Sequence, residues 1–86
     1  METLQIMGAR LKLLRKERRI YQREIAELLH ITQPHYLKIE RGDINISALT
    51  LYTLARYFGV STDYLLGLSD ERPAPPEGSF LGPQKP

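Results

Sequence analysis

Apolar residues recur every three or four positions from Leu4 to Leu66, and turn signals cut that rhythm into short pieces. A 3.6-residue period gives each piece one apolar stripe, which the pieces can hide only against one another. Strand-like alternation persists nowhere, so the chain reads as all-α. Leu4, Met7, Leu11 and Leu14 line one face of a first helix, with Thr3 as its N-cap. Gly8 inside that run is expected to weaken the helix by about 1 kcal/mol relative to alanine and to let the preceding turn fray. The rhythm stops at Arg18-Arg19, and Ile20 anchors a short connection.

Four shorter helices follow. The second covers 22–29, with Ile25, Ala26 and Leu29 inward and Arg23, Glu24 and Glu27 outward; Tyr21 stands where a capping Ser or Thr is usual. The third covers 33–40. Thr32 is its apparent cap, but Pro34 biases Gln33 away from helical angles, so Gln33 is the alternative cap with Pro34 in the first helical position. Gly42 stops it, and residues 43–46 form a loop. Ser47 caps a fourth helix that buries Leu51, Leu54, Ala55 and Phe58 and closes at Gly59. Ser61 caps a fifth, 62–66, with Asp63 near its positive end and Gly67 as its stop. Residues 69–86 hold five of the six prolines and two of the six glycines. Such a composition sustains neither helix nor core, so the domain is expected to span 1–68 and a flexible Pro-rich tail 69–86.

Composition narrows the function. The 86 residues suffice for one domain with a modest core. Cysteine is absent, so disulfides and thiolate metal sites are excluded; His30 and His35 stand five apart with no zinc-binding frame, and no metal or other cofactor is expected. No apolar run is long enough to span a bilayer, and the first residues do not form a secretory signal, which points to a cytoplasmic protein with no membrane partner. No carboxylate pair, nucleophile–base set or phosphate loop is visible, so no enzymatic activity is expected. Residues 1–42 carry nine Lys/Arg against five Asp/Glu, a balance of +4, while residues 43–86 carry three against five, a balance of −2. The dense stretch of Arg10, Lys12, Arg15, Lys16, Arg18, Arg19 and Arg23 is either a polyanion-binding patch or a solvated helix face.

Two short helices joined by about three residues have the spacing of a helix-turn-helix. The run from Gln22 through Ala26, Thr32, Gln33 and Glu40 to Gly42 resembles the phage-repressor and Cro-like (XRE-type) helix-turn-helix family. The run from Leu54-Ala55 through Phe58-Gly59 and Asp63 to Gly67 resembles the end of the same domain. The resemblance covers about residues 8–67 and implies a five-helix, lambda-repressor-like DNA-binding domain. Ala26 must be small because the two helices cross closely there. Ile25, Leu29, Ile31, Tyr36 and Ile39 form the apolar wedge that fixes the crossing.

The resemblance implies a division of labour. Gln22 contacts the phosphate backbone, and Gln33, Pro34 and Lys38 face base edges. Arg15 and Glu40 match a partly buried ion pair joining the first helix to the reader. Glutamine can pair with adenine and lysine with guanine O6 or N7. Thr32 and Arg23, at the two helix starts where free amides attract phosphates, join the interface. His35 is expected to add a phosphate or base contact, and Arg41 and Asn45 to meet the neighbouring backbone. Four positions depart from the family pattern. His30 replaces a turn glycine, Tyr36 a branched aliphatic, and Pro34 a residue type that often reads a base. Leu37 replaces a small polar residue and is expected to meet a thymine methyl or a protein partner.

The leading reading is therefore a sequence-specific transcriptional regulator of double-stranded DNA, a repressor, binding as a homodimer with half-sites about one helical turn apart. Tyr64, Leu65, Leu66 and Leu68 are expected at the dimer surface; the alternative is that they complete the monomer's core. The competing reading is an antitoxin-like interaction module whose tail, anchored by Phe80-Leu81, folds onto a protein partner.

Overall fold

The computed structural model describes residues 3–72, and within them five helices and no strand occur: α1 Thr3–Glu17, α2 Gln22–Leu29, α3 Gln33–Glu40, α4 Ala48–Phe58 and α5 Thr62–Leu66. Residues 73–86, which include Phe80 and Leu81 of the expected tail anchor, lie outside the described residues.

Local chemistry explains most boundaries. The side chains of Thr32, Ser47 and Ser61 accept from the backbone N–H groups of His35 (3.2 Å), Thr50 (3.1 Å) and Tyr64 (2.9 Å). Thr32, not Gln33, therefore caps α3; Gln33 adopts the helical conformation despite the proline after it, because the cap and the α2–α3 packing outweigh the bias. Tyr21 caps α2 without its side chain, and Glu24 Oε1 accepts from the Tyr21 N–H instead (3.0 Å). His30 ends α2 at φ 58, the left-handed conformation for which the family's usual glycine is suited.

The α1 helix is the spine, packing on α3 and α5, while α2 packs on α3 and α4 on α5. Met7, Leu11 and Leu14 of α1 meet Ile25, Tyr36, Ile39, Leu54, Phe58 and Leu65 in one core. Leu29, Ile31 and Leu51 are only half-buried at its edge. Tyr57, not expected inside, is buried with its ring edge-on to Phe58 at 5.1 Å.

Three expectations change. Thr3 is the first residue of α1 itself, and the helix runs unbroken through Gly8. A Cβ on Gly8 would stand 2.3 Å from the Glu40 carbonyl oxygen and 2.6 Å from that of Ile39, so the glycine is where α1 and the end of α3 touch. Tyr64 and Leu65 belong to the monomer's core, which removes them from the expected dimer surface; Leu66 is half-buried and Leu68 is 76% exposed. Finally, contacts continue past Leu68. Arg10 donates to the carbonyls of Tyr64 (2.5 Å) and Ser69 (2.6 Å) and to Asp70 (2.7 Å), with its guanidinium 4.4 Å from the Tyr64 ring centre. Arg72 donates twice to Glu17 (2.8 and 3.1 Å) and covers the same ring at 5.1 Å. Residues 69–72 are thus clasped to α1.

Candidate nucleic-acid interface

The outer face of α3 follows from its period. With Tyr36, Ile39 and Glu40 buried, Gln33, Pro34, Leu37, Lys38 and Arg41 are left outside with His35 beside them, all exposed. Pro34 sits between two concavities. One, toward the start of α2, is lined by Gln22, Gln33, Pro34 and Leu37. The other, toward the loop after α3, is lined by Thr32, Pro34, His35, Lys38 and Ile44. An adjoining cleft is lined by Arg15, Tyr21, Gln22, Arg23 and Gln33, and a fourth hollow places His35 near Asn45. The ten residues expected to face DNA therefore border one continuous surface, except Arg41, which stands just past the end of α3.

Beneath that surface lies a buried polar network. Arg15 Nε donates to Glu40 Oε2 (2.7 Å) and Arg15 Nη2 to Oε1 (3.1 Å), a two-pronged pair whose side chains keep 11% and 2% of their exposure. Arg15 also donates to the Ile20 carbonyl (3.1 Å). The hydrogen bond to Glu40 holds the Arg15 guanidinium above even its ordinary pKa, so Arg15 stays charged. Gln22 Nε2 donates to Glu40 Oε1 (3.2 Å), which sequence reading missed. A carboxylate only accepts, so Glu40 fixes which end of the Gln22 amide faces inward and leaves one N–H for an outside acceptor. The Tyr36 hydroxyl lies against Glu40 with no hydrogen-bond partner of good geometry. Burial, and then the charge of Glu40, push its pKa far above the phenol range.

Other side chains are already engaged. Thr32 Oγ1 is occupied as an acceptor by its cap but keeps its O–H to donate. Asn45 Oδ1 accepts from the Ile46 N–H (2.8 Å), leaving its NH2. Arg41 is 3.4 Å from Asp43, an exposed pair that a phosphate could replace. Arg23 lies 5.4 Å from the ring centre of Tyr21, which is 66% exposed. Tyr21 and Ile44 were absent from the expected site. An exposed aromatic at a helix start was the available signal for Tyr21; for Ile44 there was none.

Three residues of the basic run from Arg10 to Arg23 are engaged within the domain. Arg10 holds the C-terminal clasp, Arg15 pairs with Glu40, and Arg18 lies 5.5 Å from the Phe58 ring centre. A helical period spreads neighbouring residues around the axis, so density in sequence is not density on a face. Among the described residues no helix is long and apolar enough to cross a membrane, and no group of three or more potential metal ligands gathers.

A family model described as a helix-turn-helix domain matches residues 8–71. The chain is 33% identical over 73 residues to the uncharacterized HTH-type transcriptional regulator y4dJ of Sinorhizobium fredii, which spans 85% of this chain and 95% of that protein. It is 39% identical over 61 residues to the SPbeta prophage-derived uncharacterized HTH-type transcriptional regulator YonR of Bacillus subtilis, spanning 71% of this chain and 56% of that one. No solved structure matches the chain.

Proposed function

The chain belongs to the XRE-type helix-turn-helix family of DNA-binding transcriptional regulators, and from that premise we propose that it is a cytoplasmic repressor that reads the major groove with α3 as a homodimer. The observation that carries the reading is the outer face of α3. Gln33, Pro34, Leu37 and Lys38 are exposed on a helix whose inner face is fixed by Tyr36, Ile39 and the Arg15–Glu40 pair. Gln33 and Lys38 read base edges, each good pair being worth about 1–3 kcal/mol of discrimination. Gln22, held by Glu40, and Thr32, by its free O–H, donate to phosphates at the starts of α2 and α3, and His35 joins Thr32 on that side. Arg23, Arg41 and Asn45 supply further backbone contacts.

The binding unit includes residues 69–72, a reading supported by the contacts of Asp70 with Arg10 and of Arg72 with Glu17 on α1. The homodimer surface uses Leu68 and the half-buried Leu66, and two copies present their α3 helices to half-sites about one turn of DNA apart.

Selection of bound duplexes from a random pool tests the reading. A pseudo-palindromic site is expected, with affinity that falls steeply as salt rises. Gln33→Ala or Lys38→Ala should relax base preference, whereas Arg23→Ala or Arg41→Ala should weaken all sequences alike. Salt-insensitive binding, or no enriched sequence, refutes it. Sedimentation at micromolar concentration tests the dimer, and a monomer both free and on the selected site refutes that part.

A further inference from the structure

The outer face of α3 carries an apolar element that hydrogen-bond reading does not use. Leu37 is 38% exposed at a position where burial does not require leucine. Pro34 is exposed three residues earlier on the same face and has no N–H to donate. The two share one concavity with the amides of Gln22 and Gln33. Lys38 and His35 line the concavity on the other side of Pro34, so the apolar pair and these polar groups face different sides of the reader. A hydrophobic seat beside an amide matches one feature of the major groove. Thymine presents a C5 methyl next to its O4 acceptor, and 5-methylcytosine presents the same methyl next to its N4 donor. An amide can donate to the first or accept from the second. Unmethylated cytosine and uracil keep the same polar groups and lack only the methyl, so they forfeit the apolar contact with the seat.

We propose that Pro34 and Leu37, flanked by Gln33, form a seat for the C5 methyl of a pyrimidine and make the protein discriminate a 5-methylpyrimidine from its unmethylated counterpart. The proposal rests on the DNA-reading role of α3. The mechanism is burial of one methyl group, about a fourfold gain in affinity per contact.

The test uses the full chain and the duplex obtained by selection. Each thymine is replaced singly by deoxyuridine, which lacks only the methyl, and affinity is read by fluorescence anisotropy. At the same positions, cytosine and 5-methylcytosine are then compared. At one position per half-site, deoxyuridine should weaken binding about fourfold, and 5-methylcytosine should exceed cytosine by a similar factor. In Leu37→Ala that methyl ratio should fall to about one, with the preference governed by Lys38 retained; Pro34→Ala should lower it partially. Leu37 and Pro34 are exposed, and thermal unfolding checks that both variants fold. Deoxyuridine without effect at every thymine overturns the proposal while leaving DNA binding intact, and so does a penalty that persists unchanged in both variants. Leu37→Ala weakening every duplex equally, with the ratio preserved, also overturns it and assigns Leu37 to general packing or a protein contact. Absence of any selected DNA overturns this proposal together with the reading it rests on.

Discussion

Replacing Gly8 by alanine sets two physical effects against each other. Helix propensity alone favours alanine in the middle of α1 by about 1 kcal/mol. Tertiary packing opposes it. The added Cβ would lie 2.3 Å from the Glu40 carbonyl oxygen, 2.6 Å from that of Ile39 and 2.7 Å from the Glu40 carbonyl carbon, whereas ordinary contact begins at 3.4 Å. The shortfall is about 1 Å, and all three neighbours are backbone, so no side chain can swing aside. Either α1 retreats and strains the 2.7 Å Arg15–Glu40 contact, or the last turn of α3 shifts. Overpacking of this kind costs about 1–3 kcal/mol, and rigid backbone puts it at the upper end. The net loss is about 2 kcal/mol, which in a domain of this size lowers the Tm by roughly 8–16 °C. Thermal unfolding followed by circular dichroism measures it, with Ala9→Gly, at an exposed position of the same helix, reporting propensity alone. A Gly8→Ala variant as stable as the parent, or more stable, refutes the close approach of α1 to α3.

Arg15→Ala leaves the Glu40 carboxylate buried without its cation, a change that typically costs about 3–5 kcal/mol. Its Tm should fall far more than that of Arg19→Ala, which removes an exposed side chain and keeps a non-glycine residue at φ 57; equal losses would count against the pairing. Arg72 holds the Glu17 carboxyl below its ordinary pKa of 4.5, chiefly by hydrogen bonding. A depressed folded-state pKa contributes stability that is present above the ordinary value and lost as pH falls through the lower one. The Tm difference between the parent and Glu17→Gln should therefore be constant near neutrality and vanish in that acid window; a difference unchanged at pH 3 would disprove the linkage. Tyr36→Phe removes a buried hydroxyl that lies against Glu40 without a hydrogen bond of good geometry. An unpaired buried polar group costs about 1–3 kcal/mol, so the Tm should rise by several degrees, and a fall would mean that Glu40 accepts from the hydroxyl.

The chain was most legible where structure is local. Ser47, Ser61, Gly59 and Gly67 marked helix ends because a cap or a left-handed residue acts within one turn of chain. The outer face of α3 was readable because apolar spacing assigns Tyr36 and Ile39 inward and leaves Gln33, Leu37 and Lys38 outside. The pairing of Arg15 with Glu40 came from family resemblance, since nothing local joins residues 25 apart. Thr32 or Gln33 as the cap of α3 stayed open, because two local preferences opposed each other and only the assembled turn decided.

By itself, then, the sequence determined five helices, most of their ends, and which face of the third stays outside, all consequences of interactions within about one helical turn. Tertiary structure decided what depends on the distance between segments. It turned Gly8 from a weak point into a contact and spread one basic run over a clasp, an ion pair and an aromatic stack. It also drew Tyr64 and Leu65 into the core and bound Gln22 to Glu40 behind the outer face of α3. Helical period dictates direction from the axis, but only packing sets what each direction meets.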